Sequence, residues 1–107
     1  MNAISVDSPP WTIYRDGRPP ALEVVTPKQT VVLAWSQFVF AEGGDDEIRI
    51  AFASHDVVVK GAGLSPLLQA ITSQEAVAIR QSARREAFSA STGRFIREIE
   101  VRRIDAD

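Results

Sequence analysis

The chain has 107 residues, which fits one domain with a single modest core. A composition of 45% hydrophobic and 24% charged residues excludes wholesale disorder. The absence of cysteine excludes disulfides, thiolate metal sites and cysteine nucleophiles, and a net charge of −2 gives no overall pull toward polyanions.

Residues 1–10 read as a polar tail ending in Ser8-Pro9-Pro10. They lack the basic and apolar regions of a signal peptide, so a cytoplasmic location is expected. The longest apolar run, residues 31–35, is far too short to span a membrane. Trp11-Thr12-Ile13-Tyr14 reads as a short strand and Asp16-Gly17 as a turn. Pro19-Pro20 confines any strand here to an edge, because proline cannot donate to a ladder. Residues 22–25 form a second strand candidate, stopped by Pro27. Residues 30–40 are dense in β-branched and aromatic side chains and apolar on both faces. They predict a central strand covered on both sides, with a bulge or bend at Ser36-Gln37.

Residues 42–47, Glu-Gly-Gly-Asp-Asp-Glu, predict a loop. Residues 47–53 alternate, with Ile48, Ile50 and Phe52 on one face and Arg49 on the other, as in a half-buried strand. Ser54-His55-Asp56 reads as a tight turn and residues 57–60 as the returning strand, which completes a meander. Gly61-Ala62-Gly63 breaks that strand. Ser65 then suits a helix N-cap and Pro66 the first helical position, with Leu67, Leu68 and Ile71 on one apolar face of a helix over residues 65–71. Residues 73–90 carry two patterns. A capping box at Thr72-Ser73-Gln74-Glu75 with Ala76, Ile79, Ala83 and Ala87 suits a helix. Alternation over residues 76–81 suits a strand, and we favour a strand at residues 75–81 because the last strand needs a neighbour. That last strand covers residues 94–104, with Ile99 and Val101 on one face. The expected fold is a small α+β domain over residues 11–104. It has one antiparallel sheet of five or six strands and a single short helix, between a tail at 1–10 and another at 105–107. A partly open barrel of the pleckstrin-homology-like kind is compatible with this count as general architecture, and no functional residue follows from that comparison.

Few residues point to chemistry. Ser54-His55-Asp56 has the residue types of a nucleophilic triad, but three consecutive turn residues do not align both hydrogen bonds, and a turn is the better reading. His55 is the only histidine, which excludes a two-histidine metal site within one chain. Gly61-Ala62-Gly63 follows a strand and precedes a helix, yet Pro66 stands where a dinucleotide fingerprint needs its third glycine. Glu42, Asp45, Asp46 and Glu47 lack the spacing of a calcium loop. No cofactor is implied.

The charge distribution is uneven. Ten of the twelve basic residues are arginine, and seven of them lie from Arg80 to Arg103. A solvated face is the plain reading, and an arginine surface for an acidic partner is the functional one. Nucleic acid is disfavoured by the acidic pI of about 5.4 and by having only Phe88 and Phe95 nearby for stacking.

The leading expectation is a non-enzymatic protein-interaction or self-association module. Trp11, Tyr14, Arg84, Arg85, Arg94, Arg97 and Arg102 are its candidate partner-binding residues, and self-association through the last strand is its specific form. One alternative is a ligand-binding domain or weak enzyme using a corner built from His55, Gly61, Gly63 and Ser65. The other is binding of nucleic acid or acidic lipid by the C-terminal arginines.

Overall fold

The computed structural model describes residues 10–14, 16–82 and 95–104. The described residues form eight strands and one helix, arranged as two open four-stranded sheets rather than the single sheet of five or six strands expected. Neither sheet closes into a barrel. The strands are β1 (Trp11–Ile13), β2 (Ala21–Val25), β3 (Thr30–Ala34), β4 (Phe38–Gly43), β5 (Glu47–Phe52), β6 (His55–Ala62), β7 (Ala76–Arg80) and β8 (Phe95–Arg103). The helix α1 is Ser65–Thr72.

The first sheet has the order β1-β7-β2-β3 and the second β4-β5-β6-β8. The second is antiparallel throughout. In the first, β7 runs antiparallel to β1 and parallel to β2, so residues 76–80 are a strand as expected but are not the neighbour of the last strand. β8 instead pairs with β6. As the prolines require, β1 is an edge.

Residues 30–40 do not form one central strand. A single 3₁₀ turn at Trp35–Gln37 breaks them and carries the chain from β3 in one sheet to β4 in the other. The expected bend is there, but both halves are edge strands. Trp35 fixes the break. It is 5% exposed, its ring packs edge-on to Phe38 at 5.3 Å, and its Nε1 donates to the Ala76 carbonyl at 3.2 Å. One core cluster draws on both sheets and the helix, including Leu22, Val24, Ile50, Phe52, Leu67 and Ile79. Full burial of side chains of this size contributes about 1.5–3 kcal/mol each, which outweighs the weak propensity of strands this short.

The 54–63 region differs from the expectation in detail. The turn is Ala53-Ser54, and His55 and Asp56 already belong to β6. Gly61 and Ala62 do not break the strand, which runs on to Ala62. Gly61 lies at a register shift against β8, where a Cβ would meet the Phe95 carbonyl oxygen. The reversal is made at Gly63, whose φ of +66° favours glycine. Ser65 is the first helical residue rather than the cap, and the N-cap position falls on Leu64, which has no capping side chain.

Candidate functional site

The helix cap comes from elsewhere in the chain. The Asp45 carboxylate accepts hydrogen bonds from the Ser65 N–H at 3.3 Å, the Ser65 hydroxyl at 3.0 Å and the Gly63 N–H at 3.3 Å. These bonds, above all those from the Ser65 backbone and hydroxyl, hold the Asp45 carboxyl below its ordinary value, against a small opposing effect of burial. The corner at Gly61, Gly63 and Ser65 thus already holds an anion, its own. His55 lies at the other end of β6 from Gly61, about 20 Å away at the rise of an extended strand. The Ser54 hydroxyl lies 2.7 Å from His55 Nδ1, but Asp56 projects from the opposite face of β6. Asp56 Oδ2 accepts from Arg49 at 3.1 Å. No Ser-His-Asp relay forms, because adjacent strand residues face opposite ways.

The structure also separates the aromatic pair. Trp11 is a core residue, 6% exposed, whereas Tyr14 is exposed. Arg84, Arg85, Arg94 and Phe88 lie outside the described residues. The described arginines do not make a stripe. Arg80 sits in the first sheet, where its Nη2 bonds the Thr12 hydroxyl at 2.6 Å. Arg97 is exposed at the irregularity in β8. Arg102 and Arg103 project from opposite faces of β8. Arg102 reaches Glu100 at 3.2 Å, and Arg49 lies 3.7 Å from Glu42. The solvent face of the second sheet is therefore an alternating lattice of acids and bases. Among the described residues, no group of three or more His, Asp or Glu side chains is placed to hold a metal ion. No helix among them is long and apolar enough to cross a membrane.

The edge of β8 has the most distinctive geometry. In an antiparallel pair, alternate residues turn their backbone groups toward and away from the partner strand. The Ile104 N–H donates to the Ser54 carbonyl at 2.9 Å, and the Gly61 N–H donates to the Asp46 carbonyl at 3.1 Å. Both bonds fix the same phase: Glu98, Glu100 and Arg102 bond toward β6, while Ile99, Val101 and Arg103 turn their N–H and C=O groups outward. The Ile99 N–H is taken by Gln81 Oε1 at 3.0 Å. The Val101 and Arg103 amides have no partner among the described residues.

An open groove of about 370 Å³ runs along this edge. One wall is β8 from Glu98 to Val101, the other is the turn at residues 26–29, and Gln81 lies between them. The turn is closed by its own hydrogen bonds: the Thr26 hydroxyl accepts from the N–H groups of Lys28 and Gln29 and donates to the Gln29 carbonyl at 3.0 Å. Sequence reasoning found the strand but missed Gln81 and Thr26. The Thr26-Pro27 pair is an available turn signal, whereas nothing in the sequence links Gln81 to Ile99. Comparisons with protein-family models, with curated proteins and with solved structures find no match.

Proposed function

We propose that this domain is a protein-interaction module that binds by adding an extended strand to the outer edge of β8 beyond Ile99, since Ser82 and Gln81 already bond the edge at Ile96 and Ile99. The observation that carries this reading is the outward phase of Val101 and Arg103, whose amides have no partner among the described residues, with Val101 bordering the groove. Such an edge offers main-chain hydrogen bonds for affinity, and the groove offers side-chain contacts for selectivity. Arg102 keeps its place among the contact residues because it flanks the edge, and Arg97 marks its irregular end. The corner at Gly61–Ser65 gains no support as a ligand site, since Asp45 fills it.

Selection from a displayed library of extended peptides tests this reading. Selected peptides should slow amide exchange at Val101 and Arg103 and lose binding on Val101→Pro. That substitution removes an outward N–H, which an edge tolerates, and part of the Val101 packing, so near-UV circular dichroism certifies the variant as folded. Peptides that bind without protecting the Val101 amide, or a selection that yields none, would reject it.

A further inference from the structure

We infer that the strand added to β8 is β8 of a second copy of this chain, antiparallel and centred on Val101. This rests on the strand-addition reading above and names its occupant.

The argument is one of register and charge. An antiparallel partner must meet outward groups with outward groups, so Val101, Arg103 and the carbonyl of Ile99, whose N–H stays with Gln81, can pair only among themselves. Few two-fold registers satisfy this, and the charges between those residues distinguish them. Centring on Ile99 sets Glu98 against the partner's Glu100, twice. A two-fold at Glu100 sets Glu98 against the partner's Arg102 but opposes Glu100 to the partner's Glu100 at its centre. At Arg102 it opposes arginine to arginine. Centring on Val101 sets Glu100 opposite the partner's Arg102 and Arg102 opposite the partner's Glu100, with no like charges facing. Directly opposed unlike charges stabilise a strand pair and like charges destabilise it, so this register is selected.

Two further observations fit. Arg102 is bonded along its own strand to Glu100 at 3.2 Å, and its side chain is 68% exposed, so it is free to turn. On the inner face, Val101 packs against the core beside the groove, so the partner's Val101 enters the space walled by the turn at residues 26–29.

Sedimentation of the full chain at low salt, with near-UV circular dichroism to certify each variant as folded, provides the test. The wild type should self-associate, and Glu100→Arg and Arg102→Glu should each weaken this roughly tenfold. Mixing the two variants should restore association, because every facing pair is then of opposite charge. The double swap E100R/R102E should also restore it. A wild type that stays monomeric near about 1 mM overturns the proposal, as does a dimer indifferent to these charges or a mixture that fails to associate. A monomer whose Val101 amide is still protected by selected peptides leaves the strand-addition reading standing. Loss of both removes both.

Discussion

The two sheets leave very different edges. On one side a single segment, β3 and β4, is the edge of both sheets, and it exposes Val32, Val39 and Phe40, with Val32 at 64% and Val39 at 59%. On the other side β8 exposes a charged face and buries Ile96 and Ile99. Apolar exposure alone would nominate the first edge as the interface. Its backbone argues otherwise. The 3₁₀ turn at Trp35–Gln37 interrupts it, and β4 carries a second irregularity between Phe38 and Phe40, so β3 and β4 do not continue each other as one straight edge. Such breaks are how proteins blunt an edge against pairing. Beyond its own irregularity near Arg97, β8 runs without further shift to Arg103, with charges arranged to choose one register. On the proposed reading, what distinguishes β8 is a charge pattern that selects one register, not apolar exposure.

The comparison can be broken at its strongest point with Gly61→Ala. The added Cβ would meet the Phe95 carbonyl and push β8 from β6, costing about 3 kcal/mol by denaturant unfolding and speeding amide exchange along β8. A stability within error of wild type would show that β8 is not held at this contact.

A smaller effect is expected from Asp45→Ala, which uncaps α1 and touches neither edge. In the folded state the hydrogen bonds from Ser65 hold the Asp45 carboxyl below its ordinary value of 3.8, so its stabilisation is present above that pH and is lost as pH falls through the folded value. The gap in unfolding midpoint between wild type and variant should therefore be full at neutral pH and close below pH 3.8. A gap independent of pH would mean that the carboxylate charge is not what caps the helix.

The smallest effect sharpens the contrast. Val39→Lys should change stability by no more than about 0.5 kcal/mol and leave self-association unaltered. If it abolished association, the apolar edge would be the interface after all.

Local elements were largely legible, because periodicity reports burial. Ile48, Ile50 and Phe52 revealed β5, Leu67 and Ile71 revealed α1, and the alternation at 76–80 revealed β7 against a competing helical pattern. Partnership was not legible. Nothing in Ala76–Arg80 says that it inserts between β1 and β2 in a different sheet from β8. Residues 30–40 look apolar on both faces because the chain changes sheets at Trp35, so the face that must be buried changes with it. The candidate site was half legible. Its strand and charges are plain in residues 94–104, but the free phase of Val101 depends on hydrogen bonds made by Ser54 and Asp46 far along the chain.

The placement of β7 also sets an order of events. The hairpin β2–β3 and the meander β4–β5–β6 join residues close in sequence, whereas β1 finds its sheet partner only when Ile13 meets Ala76. Until β7 arrives, β1 has no ladder and β2 lacks its inner neighbour, so the first sheet stays half-made while most of the second can already assemble. Closing so long a loop is slow relative to forming neighbouring hairpins. By contact order, the pairing expected to form late in this chain is that of residues 76–80 with β1 and β2, which pulsed amide exchange would show as late protection in β7.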